Sequence, residues 1–216
     1  MGIEEIVNGT PRPSVYNIIG RRGSGKDVTG AALAEEIHRQ TGKDIVSTLD
    51  VSKAELPKYW KKLKRDRSPS DSILYMSDVH LMDLYARDWR EDESNEFIKW
   101  LSITRHRNSD VILTTQLTKL IDVQVIATLD ALIVKEPSAL ADRLERPEVR
   151  RIVEEARGAF EGKSQMQKWE TAFVFTHTGS FVVEDIKKPK FWNEDLSRSF
   201  SEKPLMKTGF LEPLRI

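Results

Sequence analysis

The 216-residue chain contains no cysteine, which excludes disulfides and thiolate metal sites. It carries no net charge, because 34 Lys and Arg balance 34 Asp and Glu. Any nucleic-acid contact must therefore come from a local patch and not from an overall positive field. No apolar run approaches the ~20 residues needed to cross a bilayer. The opening MGIEEIVNGTPRPSV has neither the basic nor the apolar stretch of a signal peptide. The four histidines (His38, His80, His106 and His177) are scattered, and no pair has metal-ligand spacing. No nucleophile elbow occurs. The expectation is one soluble domain without membrane insertion, large enough to bury a core.

What the chain does contain is alternation. YNIIG (16–20) is a short apolar run entering a glycine-rich turn, as a buried strand does. From Lys26 to Gln40 the apolar residues recur with helical spacing, and Gly42 stops the helix. Strands are expected at 44–49, 73–78 (ILYMSD), 110–116 (DVILTTQ) and 131–135 (ALIVK), with helices at 52–66 and 92–107. This order predicts a three-layer α/β fold with a mostly parallel central sheet. Residues 138–161 read as a charged helix interrupted at Pro147. TAFVFT (171–176) and SFVVEDI (180–186) read as a β-hairpin. The boundaries follow: a polar arm over 1–14, the main domain with its hairpin over 15–186, and an extended tail over 187–216 that wraps the domain. Within the tail, KKPKFW (187–192) is expected to pack across the sheet.

One stretch carries chemistry. GRRGSGKD (20–27) follows the first strand and opens the first long helix. Seven of its residues fit the phosphate-cradling loop G-x-x-x-x-G-K-[ST]. Gly20, Gly23 and Gly25 let backbone N–H groups face a β-phosphate, with Arg21, Arg22 and Ser24 between them. Lys26 reaches β and γ oxygens, and the helix start at Asp27 and Val28 favours an anion. The expected ligands are ATP and Mg²⁺. Asp78, closing ILYMSD, is the second carboxylate that such sites place on the metal; outside this context it would be an ordinary turn cap.

GRRGSGKD, ILYMSDVH and TRHRNSDVILTTQ (104–116) together resemble the FtsK-HerA superfamily of ring-forming DNA-pumping ATPases. The run from Arg105 to Gln116 is most similar to its zonula occludens toxin-like and viral packaging branches. The resemblance covers about residues 15–136, including the strand in DALIVK. It implies that Gln116 is the sensor of the γ-phosphate. It also implies that Arg105 is an arginine finger supplied to a neighbouring subunit, against the plainer reading of a cation at a helix end. Arg87 is a second-choice finger, and Arg107 is read as a solvated cation. The implied assembly is a homo-oligomeric ring of five or six subunits on double-stranded DNA, with a capsid or portal partner. It would work in the host cytoplasm or with the virion.

Two positions depart from the pattern. Asp27 replaces the hydroxyl that normally ligates Mg²⁺. A carboxylate is a good hard donor, but beside a triphosphate it is unfavourable without the metal, so affinity should depend strongly on Mg²⁺. Val79 replaces the glutamate that positions water in the superfamily. Asp50, Asp83 and His80 are the candidate replacements, Asp50 first, and loss of efficient hydrolysis is the alternative. The basic stretch KYWKKLKRDR (58–67) offers Lys58, Lys61, Lys62, Lys64 and Arg65 to nucleic acid phosphates. On spacing alone, it is a helix with Tyr59 and Trp60 in the core and lysines in water. A DNA-packaging motor is the leading expectation. A nucleotide-binding assembly or regulatory protein with weak hydrolysis, or a soluble toxin-like phage-assembly ATPase, are the alternatives.

Overall fold

A computed structural model describes residues 1–49, 56–63, 69–79, 98–193 and 196. Eight strands form one sheet: β1 (Val15–Ile19), β2 (Asp44–Ser47), β3 (Trp60–Lys62), β4 (Ser72–Met76), β5 (Asp110–Thr115), β6 (Ala131–Val134), β7 (Ala172–Thr176) and β8 (Gly179–Val183). Their order is β3-β2-β4-β5-β1-β6-β7-β8. Pairing is parallel from β3 to β6 and antiparallel where β7 joins β6 and β8 joins β7. The central strands β1, β4, β5 and β6 are buried at every position, as expected of parallel strands covered on both faces.

The helices are α1 (Glu4–Asn8), α2 (Lys26–Thr41), α3 over the described residues 98–102, α4 (Val123–Ala127), α5 (Ala141–Leu144), α6 (Pro147–Gly158) and α7 (Gln165–Glu170). On one face, α1 and α2 pack against Tyr16, Ile18, Ile73, Tyr75 and Ile133. On the other, Trp100 and Leu101 of α3 meet Leu74, Met76, Val111 and Leu113, while Val149 and Val153 of α6 cover Leu132 and Val134. This is the three-layer α/β fold expected from the sequence. Gly42 ends α2 in a left-handed conformation (φ 73°), and Pro147 occupies the first turn of α6, where its missing N–H is no loss. Gly30 lets α2 lie flat on the sheet: a Cβ there would come 2.6 Å from the Tyr75 ring.

Three details differ from expectation. The segment 52–66 is not a continuous helix, because Trp60–Lys62 form β3 at the sheet edge, parallel to β2. Leu56, Tyr59, Trp60 and Leu63 match a helical period, yet Trp60 packs on the α2 face and Leu63 on the opposite one. Three positions apart along an extended chain gives that outcome, since faces alternate every residue. Tyr59 and Trp60 also donate side-chain hydrogen bonds to Glu35 on α2 (2.9 and 2.5 Å), which fastens this edge. The opening residues are not simply a polar arm, because Ile6 and Val7 of α1 are buried in the core. Arg12 and the Ser14 backbone bind the fully buried Asp110. The expected helix over 92–107 is helical at 98–102 and turns over 103–108. In the tail, Trp192 and Leu196 are buried, and Phe191 packs on Trp60 with ring centres 5.2 Å apart. Within KKPKFW only Phe191 and Trp192 pack onto the domain, while Lys187, Lys188 and Lys190 are exposed; the rest of the expected tail, 194–195 and 197–216, lies outside the described residues.

Candidate nucleotide-binding site

The loop Gly20–Gly25 leaves the carboxyl end of β1 and turns directly into α2. Gly23 and Gly25 have φ of 76° and 85°, left-handed values that glycine adopts without a Cβ penalty. Gly20 is needed for space: a Cβ there would lie 2.6 Å from Ser24 Oγ and 2.8 Å from Lys135 Cβ. Ser24 is buried and its hydroxyl has no hydrogen-bond partner. Arg21 and Arg22 are exposed, and Val28 is half-buried in the first turn of α2.

Lys26 is 5% exposed and stands between two carboxylates. Its Nζ is 3.3 Å from Asp78 Oδ1 and 3.7 Å from Asp27 Oδ2. The other Asp27 oxygen, Oδ1, accepts hydrogen bonds from Ser77 Oγ (2.6 Å) and Thr114 Oγ1 (2.8 Å). Thr114 Oγ1 in turn accepts from the Asp78 backbone N–H (2.9 Å). Asp78 follows β4 with φ 46°. The Tyr75 hydroxyl donates to the Asp27 carbonyl (3.0 Å). Burial first, and then the Asp27 charge, raise the Tyr75 hydroxyl well above its usual range.

Gln116 directly follows β5, exposed, at this same end of the sheet. Since Ile19 pairs with Thr115, Gln116 stands level with Gly20. The chain after it is held by buried Glu145, which accepts backbone N–H bonds from Thr118 (2.9 Å) and Lys119 (3.1 Å). Val79 is fully buried among the residues under β4 and β5, so its side chain offers nothing to water.

Arg105 is at the other end of the molecule. It lies in the turn leading into β5 and pairs with Asp130 (2.8 Å), whose other oxygen accepts from the Val15 backbone at the start of β1 (2.9 Å). One strand length separates it from its own phosphate loop, about 20 Å for six residues. Asp50, Lys64, Arg65, His80, Asp83 and Arg87 lie outside the described residues. Lys58, Lys61 and Lys62 are exposed at the β3 edge, and Lys61 is paired with Asp44.

The residues fit a metal–nucleotide ligand. Asp27 and Asp78 are hard oxygen donors converging beside Lys26, and Asp78 Oδ1, the oxygen that faces Lys26, is buried with that ion pair and no hydrogen bond. Among the described residues no three His, Asp or Glu side chains cluster as a metal cage. Mg²⁺ needs none, because it is commonly held by one or two carboxylates with substrate phosphates and water.

Residues that sequence patterns did not single out complete the site. Ser77 and Thr114 orient Asp27, and their signal was only adjacency to Asp78 and to the end of β5. On the β6 side, Lys135 is fully buried beneath Gly20. It donates to the carbonyls of Trp169 (2.7 Å) and Thr171 (2.6 Å). Burial lowers its ammonium to about 7, against a smaller opposing effect of Glu170. Glu136 bridges Arg21 of the loop (3.0 Å) and Lys168 of α7 (2.8 Å). Burial alone would raise Glu136, but those two hydrogen bonds outweigh it and leave its carboxyl below the usual range.

A glycine-rich loop between a central parallel strand and a helix, with acidic groups at the end of a nearby strand, defines a phosphate-loop NTPase-like fold. Residues 17–136 match the family model described as zonular occludens toxin (Zot), and the chain belongs to that family. No curated protein matches the sequence. Among solved structures, the genome-packaging NTPase B204 of Sulfolobus turreted icosahedral virus 2, in complex with sulfate, is similar at TM-score 0.58 and 12% identity, with 83% of this chain and 100% of that one covered. The N-terminal domain of zonular occludens toxin from Neisseria meningitidis is similar at TM-score 0.53 and 14% identity, covering 83% and 96%. The pCW3 conjugation coupling protein TcpA, with ATPγS, gives TM-score 0.54 at 9% identity, covering 85% of this chain and 62% of its own. At these identities the likeness concerns the fold. Among the described residues no helix is long and apolar enough to cross a membrane.

Proposed function

We propose that the chain is a Mg²⁺-dependent ATPase that works as a homo-oligomeric ring and moves double-stranded DNA into a viral particle or between cells. The observation that carries this reading is the convergence of Lys26, Asp27 and Asp78 at the mouth of the phosphate loop. In it, the loop N–H groups and Lys26 hold the β and γ phosphates. Asp27 and Asp78 would hold the metal, which when bound would supply charge screening of the phosphates and polarisation of the γ-phosphoryl group. Gln116 senses that group from the adjoining strand end. Arg105, remote from its own loop, serves a neighbouring subunit, where a planar cation stabilises charge on the transferring phosphoryl oxygens. The packaging and conjugation proteins that share the fold support DNA as the substrate. Exposed Lys58, Lys61 and Lys62 are its contacts on the described surface.

A second reading is favoured by Val79, buried where a water-positioning glutamate is expected. In that reading the protein binds ATP, hydrolyses it slowly and switches shape for assembly. An ATPase assay with and without double-stranded DNA, across protein concentration, separates the two. A motor gives DNA-stimulated turnover that rises faster than linearly with concentration; the switch gives slow turnover indifferent to DNA.

A further inference from the structure

On the phosphate-loop reading, a bound triphosphate would take its direction from the sheet. Asp78 and Gln116, which follow β4 and β5, would mark its γ end, and the loop after β1 would hold its middle. The nucleoside must therefore leave toward β6 and β7, the strands on the other side of β1. There α7 presents Trp169. The residue is 51% exposed, and its indole N–H donates to the Gly23 carbonyl at 3.0 Å. A Cβ built on Gly25 would come within 3.8 Å of the Trp169 backbone and ring.

A half-exposed tryptophan is unfavourable in water, and this one is held firmly in place. Ser164 and Gln167 form a capping box at the start of α7. Lys135 clamps the carbonyls at its end, and the Lys168–Glu136–Arg21 bridge ties it to the loop. The Gly23 bond fixes the ring and uses its one donor, so what remains to offer is a flat apolar surface. Nucleobases stack on such surfaces, and the ordering cost has already been met in the fold.

We propose that Trp169 is the stacking platform for the purine base of the bound nucleotide, a site that rests on the phosphate-loop reading above. With the indole N–H engaged, the platform recognises the flat face of the base and not its hydrogen-bonding edge.

Calorimetry on the full chain with Mg²⁺, comparing ATP with inorganic tripolyphosphate, tests this. Trp169→Ala should weaken ATP by about five- to 150-fold, the range of one aromatic–base stack, and leave tripolyphosphate unchanged. Trp169→Phe should restore most of the ATP affinity. Equal loss for both ligands would reduce Trp169 to shaping the loop and overturn the proposal. So would unchanged ATP affinity in Trp169→Ala, including the case where only subunit association changes and the tryptophan is a contact between copies. If the wild-type protein bound neither ligand, the phosphate-loop reading itself would fall, and the base site with it.

Discussion

Thr114 donates a 2.8 Å hydrogen bond to Asp27, a residue eighty-seven positions earlier in the chain. The same hydroxyl oxygen accepts the Asp78 backbone N–H. One threonine at the end of β5 thus sets both the carboxylate that replaces the usual hydroxyl and the strand-end aspartate. With Ser77 on the same Asp27 oxygen, only Oδ2 is left facing Lys26 and an incoming ligand.

That arrangement makes nucleotide affinity depend on the metal. Wild-type protein should bind ATP well with Mg²⁺ and poorly in chelator, because two carboxylates otherwise meet the triphosphate with only Lys26 between them. Asp27→Ser should narrow the gap between the two conditions. Calorimetry in both buffers decides it: equal wild-type affinities with and without metal would remove Asp27 from the metal site.

Arg105→Ala should bind ATP as wild type does and lose turnover by about 10³–10⁵, the usual effect of a missing finger. Because the mutation also strips a partner from nearly buried Asp130, Arg105→Lys is the companion variant. It can keep the ion pair but lacks the planar fork, so it should melt near wild type and still be slow. Mixing Arg105→Ala with Lys26→Ala subunits should recover activity, since each supplies what the other is missing. An active Arg105→Ala enzyme whose specific activity ignores dilution would rule out a shared site.

Lys135 should give the fold a pH dependence of unusual sign. Burial lowers its ammonium to about 7 from the ordinary 10.5. Between those values the unfolded chain holds more protons than the folded one, so stability rises as pH climbs through 7 toward 10. The slope from this group is at most about 1.4 kcal/mol per pH unit. In Lys135→Met the rise between pH 7 and 9 should vanish, as denaturant melts at several pH values would reveal.

Gly30→Ala offers a test of packing against propensity. Alanine in a helix interior is worth up to ~1 kcal/mol over glycine, which alone would stabilise α2. The new Cβ would meet the Tyr75 ring at 2.6 Å, and overpacking of that kind costs about 1–3 kcal/mol. A lower melting temperature is expected; a higher one would mean that α2 can lift off the sheet freely.

The sequence announced the centre of this protein better than its edges. Buried runs such as SILYM and DVILTT can hardly be anything but interior strands, and a glycine-rich turn between strand and helix is a local signal. At β3 the code is ambiguous, because Leu56, Tyr59, Trp60 and Leu63 satisfy a helical period. Only the partner strand β2 and the Glu35 acceptor decide for an extended chain. The hydroxyls on Asp27 were invisible for a different reason. Ser77 and Thr114 matter only because β4 and β5 lie side by side, a fact of topology. Trp169 is further still, 146 positions from the glycine it touches, on α7, beyond the familiar loop pattern.

Asp78 illustrates how two requirements can leave a position with a single solution. Its backbone sits at φ 46°, a region that glycine, asparagine and aspartate enter readily and β-branched residues avoid. Glycine would fit the backbone but bring no oxygen, and asparagine would bring an oxygen without charge. Glutamate would carry the charge on a longer stem and a less willing backbone. In the proposed site aspartate answers both demands at once, so substitution here should be tolerated far less than at the exposed Arg21 and Arg22 of the loop.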